Sequence, residues 1–195
     1  MRNLIKTSII ALMVCFIGSH AMHAEKRALL IGISDYGNTD EDPNKWANIS
    51  GANDVALLTP LFKEHGFNVT SLVDAHATHV GITKALKKLV KDSKKGDVVY
   101  IHFSMHGQPF EDLNGDEEDG WDEALIPVDA QMLYSEGVYD GKNHLLDDEL
   151  EGYFNDIRKK IGTNGQLYVI LDACHSGTAS RGDDDHVRGT REGFT

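Results

Sequence analysis

Cysteine is almost missing from this chain. Its 195 residues include only Cys15 and Cys174, too few for a disulfide framework or a paired-cysteine zinc site. A helical HExxH metal motif is absent too, which leaves the commonest metalloprotease signature out. Positive charge is scarce: 19 Lys and Arg stand against 31 Asp and Glu, a formal net charge of -12. That balance argues against nucleic acid or an anionic membrane as partner. It suits a substrate carrying positive charge, and equally a surface kept soluble by acid. No low-complexity tract interrupts an ordinary globular composition, 41% hydrophobic and 26% charged. The length fits one domain with a sizeable core and is short for two.

The first apolar run, Thr7 to Ile17, is too short to span a bilayer as a permanent helix. Arg2 and Lys6 precede it, and the small residues Ser19, Ala21 and Ala24 follow. This is the pattern of a secretory signal peptide over residues 1–24, cleaved after Ala21 or Ala24. Val14 before Cys15 is too bulky for lipoprotein processing. The expectation is therefore a mature domain, residues 25–195, secreted or periplasmic and with no membrane attachment after cleavage. Cys174 would be its sole cysteine. Such a thiol is a reactive group, half of an intermolecular disulfide, or a buried and inert residue.

Apolar patterning organises the rest. KRALLIGIS (26–34) reads as a buried strand, and SGANDVALLTPLFKEHG as a helix with Val55, Leu58, Leu61 and Phe62 on one face and a kink at Pro60. FNVTSLVD (67–74) alternates as a second strand. THVGITKALKKLVKDSKKG is a helix capped by Thr78, with Leu86, Leu89 and Val90 inward. DVVYIHFSMHG (97–107) reads as a single third strand and ALIPVD as a short one. LLDDELEGYFNDIRKKIG carries Leu150, Phe154, Ile157 and Ile161 at helical spacing, and QLYVILDACHSG holds the last strong strand. Strands alternating with helices predict an α/β fold, a mostly parallel sheet with helices on both faces. Beyond Gly177 the chain is polar and aperiodic, leaving the sheet with an unfinished face or edge and the sequence looking incomplete or in need of a partner.

SMHG and DACHSG both fall at carboxyl ends of strands, where open α/β sheets bind ligands. His106 and Cys174 there make a base and a nucleophile, since a thiol needs a base or cation nearby to ionise at neutral pH. Strand alternation puts His102, Ser104 and His106 on one face. The backbone N–H groups of Gly107 and Cys174 are candidates for an oxyanion hole. His175, adjacent to the cysteine on extended backbone, points the other way. A zinc site from His102, His106, Cys174 and His175 is the weaker reading of the same residues. The acidic loop DLNGDEEDGWDE places Asp112, Asn114, Asp116 and Glu123 as in an EF-hand, but Glu117 stands where the turn glycine belongs. A solvated charge run is the commoner explanation.

FSMHG and DACHSG on successive strands, with RALLIGIS, GANDV, GDEEDGWDEALIPVD and LLDDEL in the same order, resemble the caspase-like cysteine peptidases of the metacaspase and orthocaspase branch. The resemblance covers essentially all of 25–195. It implies a caspase-hemoglobinase three-layer sandwich and a Cys–His endopeptidase, with Cys174 as nucleophile, His106 as general acid/base, and Gly107 and Cys174 as the oxyanion hole. It also implies an acidic pocket at Asp54, Ser104 and Asp172 that takes Arg or Lys before the scissile bond of a protein or peptide substrate. The chemistry needs no cofactor. Several metacaspases require calcium, and the matching carboxylates are Asp122, Asp147 and Asp148. A further calcium ligand of that family corresponds here to Arg181, a departure near which Asp183 to Asp185 stand. Family members continue into a small-subunit region, so the resemblance makes this the large-subunit portion with its C-terminal part missing. Arg181, Arg188 and Arg191 are candidate autocleavage positions. The alternative is a catalytically silent caspase-like module for interaction or calcium binding, or an inactive fragment.

Overall fold

The structure, a computed structural model, describes residues 24–37, 44–115, 117–173, 190 and 193–195. Most of the expected leader, Asp116, Cys174, His175, Arg181, Asp183 to Asp185, Arg188 and Arg191 lie outside them. In chain order the elements are β1 (Lys26–Gly32), α1 (Gly51–Glu64), β2 (Phe67–Val73), α2 (His79–Asp92), β3 (Val98–Ser104), β4 (His106–Glu111), β5 (Trp121–Ile126), β6 (Leu145–Leu146), α3 (Asp147–Ile161) and β7 (Gln166–Asp172).

Four strands form a fully parallel sheet in the order β2-β1-β3-β7. Side chains alternate along β1, so its two faces serve two cores. Leu29 and Ile31 join Ile82, Leu86 and Leu89 of α2 and Ile157 and Ile161 of α3. Ala28 and Leu30 join Val55 of α1, with Leu58 and Phe62 packed against them. Helices therefore cover both faces, giving the three layers expected. Each fully buried aliphatic side chain contributes about 1.5–3 kcal/mol of transfer free energy. Among the described residues β2 and β7 are the outer strands of this sheet, and Tyr168 and Ile170 of β7 are exposed. None of the described helices is long and apolar enough to cross a membrane.

Helix α2 starts as its sequence says, with the Thr78 hydroxyl accepting from the Gly81 N–H at 3.0 Å. Helix α1 runs unbroken through Pro60, and Leu61, assigned to the buried face, is 49% exposed. The stretch 97–107 is not one strand. It breaks at Met105, wholly buried, whose N–H donates to Asp172 O at 3.3 Å. Beyond that break β4 leaves the parallel sheet and pairs antiparallel with β5, which pairs with β6. The polar tail also has a structural part. Phe194 is 3% exposed, stacks on Phe110 at 5.1 Å, and exchanges backbone hydrogen bonds with Pro109 and Glu111 along β4.

At the amino-terminal rim of the sheet Asp97 ties three segments together. Its carboxylate accepts from the Glu25 N–H (2.8 Å), the Arg27 Nε–H (2.9 Å) and the Lys94 N–H (3.0 Å). Burial favours the neutral acid, but these three donors and the Arg27 charge outweigh it and hold the carboxyl below its usual range.

Candidate active site

The opposite rim carries the chemistry, and two glycines shape it. A Cβ on Gly32 would lie 2.2 Å from Gly51 O, and one on Gly51 would lie 2.1 Å from Ser104 O. Only glycine at both positions lets the first turn of α1 sit directly on the ends of β1 and β3. The Ser34 hydroxyl, rather than Ser50, accepts from the helix, at Ala52 N–H (2.9 Å). Docked this way, α1 presents Asp54 in its first turn, and the buried Ser104 hydroxyl donates to Asp54 Oδ2 at 2.6 Å.

β3 and β7 pair in register, with His102 beside Ile170 and Ser104 beside Asp172. Ligand atoms of Asp54, His102 and Asp172 all fall within 4.8 Å of one another. The structure thus unites the three residues read as an acidic pocket (Asp54, Ser104, Asp172) and adds His102. Asp172 is exposed, Asp54 half-buried and His102 only 7% exposed.

His106 opens β4 just past the Met105 break. Its ring lies 5.0 Å from Tyr36 and 4.9 Å from Trp46, and it is 2% exposed. His102 and Ser104 both lie toward Asp54. His106 Nε2 is 2.8 Å from Ala47 O. A carbonyl can only accept, so Nε2 carries the proton and Nδ1 keeps a lone pair. That tautomer is the one a general base needs, with the ring oriented by a backbone oxygen in place of a carboxylate. The His106 N–H donates to Tyr36 Oη (3.1 Å), and the Tyr36 hydroxyl donates to Ile126 O (2.9 Å). Asp74, just past β2, holds the start of this loop by accepting from the Ser34 and Asp35 N–H groups at 2.6 and 3.0 Å.

These supports were not recognised from sequence. Tyr36, Trp46 and Ala47 all lie in the polar stretch read as a plain loop. The available signal was two aromatic residues in an otherwise hydrophilic segment, both of which are at most 3% exposed.

Gly107 pairs with Leu125 on β5, and its carbonyl accepts from the Thr190 N–H at 3.3 Å. Cys174 lies outside the described residues, as does its N–H. Ser104 and Asp172 are an adjacent pair, and in sequence His106 and Cys174 each follow one of them by two residues.

The acidic loop is a hairpin connection between β4 and β5, not a helix–loop–helix. Asp112 closes it by accepting from the N–H groups of Asn114, Gly115 and Glu117. Asp122 is buried on β5, while Asp147 and Asp148 open α3, with Leu146 rather than Asp147 at the cap. Burial, and then the neighbouring Asp148 charge, push the Asp147 carboxyl above its usual range. Asp148 accepts from Asn114 Nδ2 at 2.7 Å. Asp122, Asp147 and Asp148 do not close to the separation reached by Asp54, His102 and Asp172, the one such set among the described residues.

Comparison with known proteins agrees with this geometry. The family model described as "Metacaspase, peptidase C14 domain" matches residues 26–181. Metacaspase-1B of Aspergillus fumigatus is 36% identical over 169 residues, covering 82% of this chain and 37% of that protein. Metacaspase-1 of Kluyveromyces lactis is 31% identical over 159 residues, 78% of this chain and 34% of its own length. Among solved structures, protein GSU0716 from Geobacter sulfurreducens superposes with a TM-score of 0.58 at 28% identity, covering 79% of this chain and 52% of that one. The chain thus spans little more than a third of the length of the curated relatives it matches. With a matching family model over most of its residues and a parallel sheet whose rim holds His106 beside an acidic pocket, it belongs to the metacaspase family of cysteine-type peptidases.

Proposed function

We propose that the protein is a cysteine endopeptidase that cleaves peptide bonds after Arg or Lys, with Cys174 as nucleophile and His106 as general acid/base. One observation carries this reading: the in-register pair Ser104 and Asp172, two residues short of His106 and Cys174 respectively, lying against Asp54 of α1. In this mechanism Nδ1 of His106 accepts the thiol proton while Nε2–H stays bonded to Ala47 O. The thiolate attacks the scissile carbonyl, the N–H groups of Gly107 and Cys174 bind the oxyanion, and His106 protonates the leaving amine. Water then hydrolyses the acyl-enzyme, with His106 as base. Asp54 and Asp172 receive the guanidinium or ammonium group of the residue before the scissile bond, and the Ser104 hydroxyl fixes the Asp54 rotamer.

The test is hydrolysis of a fluorogenic peptide ending in Arg, against its Asp counterpart, by the purified protein and its Cys174→Ala variant. Cleavage of the Arg peptide alone, lost in the variant, is the expected result. Retained cleavage in Cys174→Ala overturns the thiol mechanism. Rapid, pH-dependent alkylation of Cys174 without turnover supports a competent thiol needing the further region found in longer relatives. Slow, pH-independent alkylation supports a silent caspase-like module.

Calcium belongs to this proposal as a ligand of Asp122, Asp147 and Asp148, the last two in the first turn of α3. Export follows from the leader pattern of residues 1–24. Amino-terminal sequencing of the protein recovered from culture fluid or periplasm checks it.

A further inference from the structure

We infer that Asp54, His102 and Asp172 form a binding site for a divalent d-block cation, zinc above all, at the floor of the acidic pocket. The inference rests on these three side chains alone and stands whether or not the chain is a peptidase. They come from three separate elements: the first turn of α1, the middle of β3 and the end of β7. Each offers one ligand atom, and the three atoms lie within 4.8 Å of one another. Zinc bonds of about 2.0–2.1 Å need ligand atoms roughly 3.0–3.5 Å apart, so closure asks for at most roughly 1.3–1.8 Å of approach between the most distant pair. One carboxylate is already held and the imidazole is buried. Ser104 holds one oxygen of Asp54 at 2.6 Å, and His102, 7% exposed, sits on β3 in register with Ile170.

The donor set chooses the metal. Calcium and magnesium seek six or more hard oxygens, and a buried imidazole in a three-donor set serves them poorly. Two carboxylates and one imidazole match zinc, with a fourth position left to water because Asp172 opens to solvent. Two carboxylates also supply the charge that neutralises the cation, in a protein whose net charge of -12 draws cations toward it. This set differs from the imidazole and thiol ligands considered from sequence, since neither His106 nor Cys174 belongs to it. It also lies apart from the Asp122, Asp147 and Asp148 carboxylates. A zinc ion there occupies the carboxylates that a basic side chain would need, so metal and cationic peptide exclude one another.

Isothermal titration with zinc chloride tests this in the full chain carrying Cys174→Ala, which removes the thiol as a competing ligand. The expected result is one tightly bound equivalent, weakened at least tenfold by His102→Gln and by Asp172→Asn. The same order should hold for cobalt, read by its visible absorption. Circular dichroism reports whether His102→Gln folds; if it does not, Asp172→Asn, altered at an exposed residue, decides alone. No binding in the Cys174→Ala chain, or binding unchanged by Asp172→Asn, overturns the site.

Discussion

Replacing Gly51 by alanine sets helix propensity against tertiary packing. Gly51 and Gly152 both lie within helices, and by propensity alone alanine at either stabilises, by up to about 1 kcal/mol. Their surroundings differ. A Cβ on Gly152 meets nothing within 4 Å, whereas on Gly51 it meets three backbone atoms: Ser104 O at 2.1 Å, Ile33 O at 2.7 Å and Ile33 N at 2.9 Å. Backbone cannot rotate aside, so the first turn of α1 must withdraw by roughly an ångström or more. Overpacking of this kind costs about 1–3 kcal/mol. Withdrawal also strains the Ile33 N–H bond to Ser104 O (3.0 Å) and the Ser104 bond to Asp54 (2.6 Å), at about 1 kcal/mol each. We expect Gly51→Ala to lose about 3 kcal/mol, and the melting temperature to fall by roughly 6–12 °C. Gly152→Ala should gain about 0.5–1 kcal/mol. Urea titrations with matched slopes measure both, and the zinc titration or basic-peptide assay should detect the displaced Asp54 in Gly51→Ala only. If the two variants move together, or Gly51→Ala stays within about 0.5 kcal/mol of the parent, the close docking of α1 is wrong.

Asp97→Asn breaks the buried pair with Arg27 and should cost about 3 kcal/mol. Because the Asp97 carboxyl is held below 3.8, its contribution is complete above that pH and fades as pH falls further; an acid titration of stability in which parent and variant run parallel below pH 4 would refute the assignment. Burial depresses His144 to about 4, with Nε2–H donating to Gln108 Oε1 at 3.0 Å and Tyr139 Oη 2.9 Å from Nδ1. The unfolded chain takes up that proton near 6.5, so stability should be full above pH 6.5 and fall by up to about 3 kcal/mol as pH drops toward 4. His144→Gln should flatten that window, measured by urea midpoints at pH 7, 5.5 and 4.5. Trp46→Ala should cost about 3–5 kcal/mol by emptying a site 1% exposed, and should slow alkylation of Cys174 by loosening the His106 ring that it packs against. An unchanged labelling rate in a folded Trp46→Ala protein would mean that this contact does not position the base.

The one-dimensional record determined the helices and parallel strands and most of the faces they bury. Leu29 and Ile31 alternate with Ala28 and Leu30, Leu86 and Leu89 recur at helical spacing, and Thr78 caps α2, all through forces acting over one to four residues. It also named His106, a reactive residue type just past an apolar run, whereas Asp54, Ser104 and Asp172 were legible as a pocket only through the family resemblance. The break at Met105, which sends His106 into a second sheet, depends on where β5 and Phe194 lie in space. So do Ala47 as the oxygen that orients the imidazole, and His102 as a third donor beside two carboxylates. A backbone carbonyl has no residue type by which to be recognised, and a buried histidine looks the same in sequence whether it faces solvent, core or a pair of acids. Only the parallel register of β3 and β7, and two glycines that let α1 close onto them, decided which of these groups meet.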